Sequence, residues 1–347
     1  MNFGQREGDG NELISVLMAV YNTKAEYLNE AIESILSQTY KYIELIIIDD
    51  FSDNKDTIRV LSNVCDKRVR IYHNDKNIGL TKSLIKGMKL CNGRYIARLD
   101  ADDVSKKTRI SNQYRYMKKK NYALVGCNCK MIPNFFNHAV CSSESVGYKV
   151  AMIFDNQGFC HSSFFIDKKC LAEHEINYDE KYKTAQDYAL LCDCISCGLK
   201  IGFCAKTLIG LRRHDNQISV KNRSQQSSDA DNIRTQYIIR NYKLSESEAN
   251  EFVKAISETT YITAHDSLLA QKALQNILKN NHDAIVDKEI YKYWFRQSLN
   301  RMSKSGKTDF ILSKMFFQSL RLDRLFYTIC RNIIERIHYI YQPFVKI

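Results

Sequence analysis

Between Leu13 and Leu99 four apolar runs alternate with three stretches of helical periodicity, and this alternation leaves the chain few ways to fold. The runs are Leu13–Val20, Ile43–Ile48, Val69–Tyr72 and Tyr95–Leu99. The length and apolar composition of the first mark a buried strand, and the other three read as further strands. Between the first two, Leu28, Ala31, Ile32, Ile35 and Leu36 fall at i, i+3, i+4, i+7 and i+8, the stripe of a helix that covers a sheet. Ile58, Leu61 and Cys65 mark a second helix, and Leu80, Leu84, Met88 and Cys91 a third. Parallel neighbours need a long crossover, usually helical, so the pattern specifies an α/β fold: a mainly parallel sheet with helices on both faces.

Sheets of this kind bind ligands beyond the carboxyl ends of their strands. Here those ends carry Tyr21-Asn22, Asp49-Asp50, His73-Asn74 and Asp100-Ala101-Asp102-Asp103. The last brings three carboxylates together with no Lys or Arg between them. Carboxylate oxygens suit Mg²⁺ or Mn²⁺, and Mg²⁺ typically takes one or two carboxylates plus substrate phosphates. A solvated acidic turn is the alternative for an isolated D-x-D-D; the convergence of four polar strand ends favours a site. No G-x-G-x-x-G follows the first strand, which argues against a dinucleotide, and no G-x-x-x-x-G-K-[ST] is present. A phosphate ligand in an acidic crevice without a glycine cradle needs a cation to offset repulsion. A metal-bound nucleoside diphosphate meets these constraints, with base and ribose at the first two strand ends and the metal on Asp102.

Beyond Asp103 the pattern predicts a basic helix over Lys106–Lys120, a strand over Ala123–Ile132 and a less regular stretch over Pro133–Val150. Residues 158–166 bring His161, Ser162 and Ser163 ahead of an apolar run. Tyr188–Gly198 reads as an amphipathic helix closed by Gly198. Its Cys192, Cys194 and Cys197 lack the paired C-x-x-C spacing of a zinc site and are expected to be core thiols. A polar stretch, 220–232, reads as a linker, and the pattern from 233 onward is helical.

Twelve cysteines invite a disulfide reading, but the first ten residues are polar with no apolar signal core. Reduced thiols in a cytoplasmic protein are the expectation. The net charge of +12 raises nucleic acid or an anionic membrane as partners. No nucleic-acid motif is present, and none is expected to bind. Residues 301–347 carry nine Lys/Arg against three Asp/Glu, interleaved with aromatics such as Phe316, Phe317 and Tyr341. Such a segment suits peripheral contact with an anionic membrane, and equally a helix packed on its own domain with a solvated basic face.

The ordered set Ile14–Asn22, Ala31–Tyr40, Glu44–Asp53, Asn77–Leu80, Gly93–Asp103, Gln186–Tyr188 and Arg213–Ser219 resembles family 2 glycosyltransferases of the GT-A fold. The resemblance covers residues 13–219. It implies a Rossmann-like sheet, a nucleotide-sugar donor (a UDP-sugar in the first instance), Mn²⁺ or Mg²⁺, and inversion at the anomeric carbon. By position, Tyr21 and Asp50 would hold the nucleobase with Ala19 and Asn22 lining its pocket. Asp100 would lie near ribose or sugar, Asp102 would ligate the metal, and Asp187 would be the catalytic base. His214 matches a metal ligand of some relatives, with a solvated strand-end histidine as the alternative. His161 either lines the acceptor side or is a hydrogen-bonded core residue.

Asp187 has a second reading, because Thr184-Ala185-Gln186-Asp187 is also a Thr-x-x-Asp helix start. Two positions depart from the family pattern. Phe51 stands where a small residue is usual, and Gln186 replaces an acid, which should lower the pKa of Asp187 and keep it ionised. The expected organisation is a polar tail over 1–12, a glycosyltransferase domain over 13–219, the linker, and a basic helical region over 233–347. The expected activity is sugar transfer to a glycan or lipid-linked acceptor in surface polysaccharide or lipopolysaccharide synthesis, at the inner face of a membrane. A non-catalytic nucleotide-sugar-binding protein of the same fold is the alternative.

Overall fold

The computed structural model describes residues 12–132, 137–138, 145–154, 160–214, 222–257, 264–280 and 290. The tail over 301–347, and with it the membrane-facing expectation, lies outside them. Clustering of the chain gives two compact units, one of residues 1–148 with 155–233, the other of 149–154 with 234–347.

The first unit opens with the expected alternation: β1 (Ile14–Val20), α1 (Ala25–Leu36), β2 (Ile43–Asp49), α2 (Lys55–Ser62), β3 (Val69–His73), α3 (Leu80–Leu90) and β4 (Tyr95–Arg98). These four strands pair in parallel in the order β3-β2-β1-β4. Every residue of β2 and β4 is buried, as strands covered on both faces must be. Close approach of α3 to the sheet depends on Gly87, where a Cβ would fall 2.2 Å from Leu17 Cδ1.

The other half of the sheet departs from the mainly parallel expectation. It uses β5 (Val104–Ser105), β6 (Leu124–Ile132), β7 (Asn137–His138), β8 (Phe165–Asp167) and β9 (Ile201–Arg212), with α4 (Arg109–Lys120), α5 (Ser145–Phe154), α6 (Lys168–Glu173) and α7 (Gln186–Ser196) between them. Strand β8 inserts antiparallel between β4 and β6, β6 runs parallel to β9, and β5 closes the far side antiparallel to β9. Helix α5 occupies the end of the stretch read as irregular. Helix α7 ends as expected near Gly198, which has φ +74° and donates its N–H to Ile195. Cys192 and Cys194 are buried core thiols, while Cys197 is exposed.

Residues 223–232, within the stretch read as a linker, are helical. They form the first half of α8 (Arg223–Tyr242), and Asp229 within them is buried. This half is largely exposed, so it shows no apolar stripe by which a helix could be recognised. The second unit also holds α9 (Glu246–Ile256) and α10 (Ala264–Asn280). Helix α9 starts with a reciprocal Ser245–Glu248 capping box and buries Phe252 against Phe154. No helix among the described residues is long and apolar enough to cross a membrane.

Candidate active site at the carboxyl ends of the parallel strands

Pairing of β1 with β2 and β4 brings their chain exits to one sheet edge. Val20 is the partner of Asp49, and the Asp50 N–H donates to Val20 O at 2.8 Å. The Leu99 N–H donates to Leu17 O at 3.1 Å. The sheet therefore delivers Tyr21, Asn22, Asp50 and Asp100 to a common rim.

Asp50 is buried and fully engaged. It accepts from Asn74 Nδ2 at 2.8 Å, from the Ile78 N–H at 2.9 Å and from the Gly79 N–H at 2.8 Å. Its carboxylate thus shapes the turn from β3 into α3, where Gly79 has φ +88°. Asn22 staples the β1 exit to the loop after β2: its Oδ1 accepts from the Asp53 and Asn54 N–H groups, both at 3.0 Å. Ala19 is half-buried opposite Ile48, and the Tyr21 ring is exposed.

The acidic turn after β4 gathers as the sequence suggests. Carboxylate oxygens of Asp100, Asp102 and Asp103 lie within 4.8 Å of one another. Three like charges at this spacing need partners, and each finds its own set, with Ser162 shared between Asp100 and Asp103. Asp100 is bound by the Arg98 guanidinium and by Ser162 Oγ at 2.8 Å. Burial pushes its carboxyl up, but the Arg98 charge and hydrogen bond outweigh that and hold it below the usual range. Asp103 accepts from Ser162 Oγ and from the Arg212 N–H at 2.9 Å. Its own burial, then the charges of Asp100 and Asp102, push it well above the usual range.

Asp102 is partly open, as is Asp100, while Asp103 is buried. One-fifth of the Asp102 side chain is accessible (21%), and His214 Nε2 lies 2.8 Å from its Oδ2. Burial and the Asp100 charge raise its pKa against the pull of His214. Arg212, at the end of β9, donates from Nε to Asp102 O at 3.0 Å, pairs with Glu30 and stacks 4.2 Å over Tyr27. The strand that carries His214 is thereby locked against the acidic turn. His214 Nδ1 is buried without a hydrogen-bond partner. An oxygen-rich cluster with two partly open carboxylates and an adjacent imidazole fits Mg²⁺ or Mn²⁺.

Asp187 lies in the first turn of α7, near enough to Arg98 and Asp100 to feel both charges. The capping reading fails: the residue before the helix is Ala185 at φ +56°, and Thr184 Oγ1 donates to Asp229 at 2.6 Å. The expectation of a lowered pKa also fails. Burial raises the Asp187 carboxyl, and the Tyr188 N–H bond and the Arg98 charge only partly oppose it. Thr81, just inside α3, donates from Oγ1 to Tyr182 O at 2.7 Å, which ties the Asp50 turn to the segment leading into Asp187. His161 is buried, 2.8 Å from the Tyr178 hydroxyl, and burial holds its pKa well below the usual value. It is placed as a neutral core histidine.

Two residues of the cluster were not singled out from the sequence. Arg98 lies within the apolar run Tyr95–Leu99 and Ser162 just ahead of the run that forms β8, and neither was given a role. A charged residue inside a buried run, directly before an acidic turn, was the available signal.

A nine-stranded α/β sheet with an acidic, metal-compatible turn at the switch between its two halves defines a GT-A-type glycosyltransferase fold. Residues 15–171 match Glycosyl transferase family 2, and this chain belongs to that family. An uncharacterized glycosyltransferase of Methanocaldococcus jannaschii is 31% identical over 219 residues, covering 60% of this chain and 73% of that protein. The Escherichia coli UDP-Glc:alpha-D-GlcNAc-diphosphoundecaprenol beta-1,3-glucosyltransferase WfaP is 33% identical over 190 residues, covering 54% and 72%. Among solved structures, Staphylococcus aureus TarS 1–349 in complex with UDP-GlcNAc superposes with TM-score 0.57 at 13% identity, covering 86% of this chain and 88% of that one. At that identity the likeness bears on the fold.

Proposed function

We propose that this glycosyltransferase moves a sugar, with inversion, from a UDP-sugar to a hydroxyl of a glycan or lipid-linked acceptor, with Mn²⁺ or Mg²⁺ at Asp102. The gathering of Asp100, Asp102 and Asp103 within 4.8 Å, with Asp102 partly open beside His214, carries the reading. The UDP and lipid-linked assignments are supported by the name of the Escherichia coli relative.

The metal would be held by Asp102, with His214 joining when its Nε2 exchanges the Asp102 hydrogen bond for coordination. When bound, it supplies Lewis-acid stabilisation of negative charge on the departing diphosphate. The chain does the rest. Tyr21, Ala19 and Asn22 offer the rim on which a nucleobase rests, and Asp50 fixes its floor. Asp100, kept anionic by Arg98, accepts hydrogen bonds from ribose or sugar hydroxyls. Asp187 takes the proton from the acceptor hydroxyl as that oxygen attacks the anomeric carbon opposite the diphosphate, which inverts the centre. The basic aromatic tail, 301–347, would hold the protein at an anionic membrane where a lipid-linked acceptor resides.

The test combines UDP-glucose, UDP-GlcNAc, UDP-galactose and GDP-mannose with Mn²⁺ and an undecaprenyl-diphosphate-linked N-acetylhexosamine. Transfer and anomeric configuration are read by NMR, with Asp102→Ala as control. Transfer that survives both chelation and Asp102→Ala removes the metal role, and a retained configuration removes Asp187 as base.

A further inference from the structure

We infer that Phe51 is a donor-specificity residue whose ring forms a second aromatic wall of the nucleobase pocket. The inference rests on the nucleotide-donor reading and adds a contact which that reading does not contain.

Phe51 has φ +66°, a backbone conformation that bulky L-residues rarely adopt and glycine adopts without strain. Its ring contributes little to the core, since 53% of the residue is exposed. The fold therefore keeps a large side chain in a strained conformation and leaves it facing solvent. Strain of this kind gathers at ligand sites when the surroundings hold it in place. Here the holding contacts are on both sides. Asp50, the preceding residue, is fixed by three hydrogen bonds, and Ser52, the following one, accepts at Oγ from the Asn22 N–H at 3.0 Å. The Ser52 N–H in turn donates to Asp49 Oδ1 at 3.2 Å.

The second observation is the neighbour. Tyr21 is 52% exposed, one of four large apolar side chains so placed among the described residues, and it leaves β1 beside the β2 exit that carries Phe51. Two exposed rings on adjacent strand exits, with the acidic turn of β4 on the other side of β1, bracket the rim where a base would sit. A flat, apolar, π-faced ligand fits such a pair. Each face of a nucleobase can stack on an aromatic ring, and losing one stack costs binding measurably.

Strain and contact pull in opposite directions, which makes the proposal testable on two readouts of the full-length chain. Phe51→Gly should hold or raise the thermal midpoint without ligand, because glycine suits φ +66°. The same variant should weaken binding of a nucleoside diphosphate by roughly ten-fold or more, as expected for one lost base–aromatic stack. Calorimetric titration with UDP, GDP and dTDP in Mn²⁺ gives the affinities, and Mn²⁺–pyrophosphate serves as the ligand without a base. Pyrophosphate affinity should be unchanged, and Phe51→Tyr should restore nucleotide binding. Equal loss for pyrophosphate and nucleotide would show that the ring only supports the loop and would overturn the proposal. So would a fall in the unliganded midpoint, or nucleotide affinity equal to wild type in Phe51→Gly. Failure of the wild-type chain to bind any of the three nucleotides overturns the donor reading itself, a result distinct from all of these.

Discussion

His214 Nε2 lies 2.8 Å from Asp102 Oδ2, so a residue just past the end of β9 touches the acidic turn that follows β4. The contact joins the two halves of the sheet at a partly open carboxylate of the cluster. Groups that orient or share a metal ligand typically contribute 10- to 100-fold to metal affinity. His214→Ala should therefore weaken Mn²⁺ binding by about 10- to 100-fold, and Asp102→Ala should weaken it further. Mn²⁺ titration followed by electron paramagnetic resonance, with UDP present, measures both. Unchanged affinity in His214→Ala would confine the imidazole to its stacking on Tyr27.

Ser162 Oγ sits between two carboxylates, serving Asp100 at 2.8 Å and Asp103 at shorter range. It also accepts from Arg98 at 3.1 Å and from the Asp100 N–H at 3.1 Å. Ser162→Ala leaves buried charged groups short of a partner, and the expected loss of stability is about 1–3 kcal/mol. Urea unfolding measures the loss. Ser162→Thr, which restores a hydroxyl, should recover part of it if the methyl is accommodated.

In the parallel half β1, β2 and β4 were legible because they are buried on both faces and so read as apolar runs of a length helices rarely have. Edge strand β3 has no buried residue and was legible from its place in the alternation. The antiparallel half was legible only in part: β6 (Leu124–Ile132) is the strand expected over Ala123–Ile132, but its neighbours were missed. Strands β5 and β8 have two and three residues, too few to display alternation. The first half of α8 offered no apolar stripe and read as a linker. Within the site, Asp100 and Asp102 could be found because acidic residues at a strand exit are conspicuous. Their controllers could not: Arg98 reaches Asp100 from inside the strand, and Ser162 arrives from a turn 62 positions away. For Asp187 the reading had the wrong direction of pKa shift, since it counted the missing neighbour at Gln186 and could not count burial.

Asp50 uses both carboxylate oxygens on donors, two of them backbone N–H groups. Asp50→Asn replaces one acceptor with an NH₂ that would face a donor. The turn into α3 should loosen, with a loss of about 1–3 kcal/mol in urea unfolding. Nucleotide affinity should fall with it, because the same turn floors the base pocket. A stability loss without any change in UDP binding would separate the turn from the pocket.

Asp187 provides a prediction in which activity and stability move apart. Its pKa in the folded chain lies above 3.8, the ordinary aspartate value, with burial as the main cause. A base must be deprotonated, so the acid limb of kcat/KM should fall at a pH above 3.8. For stability the sign is reversed from the usual paired carboxylate. A raised folded pKa favours the protonated form in the native state, so this contribution is present at low pH and is lost as pH rises through the folded value. Ionisation of the buried Asp187 therefore works against the fold. Asp187→Asn should reduce kcat by about 10²- to 10⁴-fold while leaving the thermal midpoint at pH 7.5 equal to or above wild type. The midpoint difference should shrink as the pH is lowered toward 5, where a larger fraction of Asp187 is protonated. Thermal unfolding at several pH values, run beside initial-rate measurements, checks both. A destabilised Asp187→Asn at neutral pH would mean that the native carboxylate is held by charge pairing, and the raised acid limb would then have no cause.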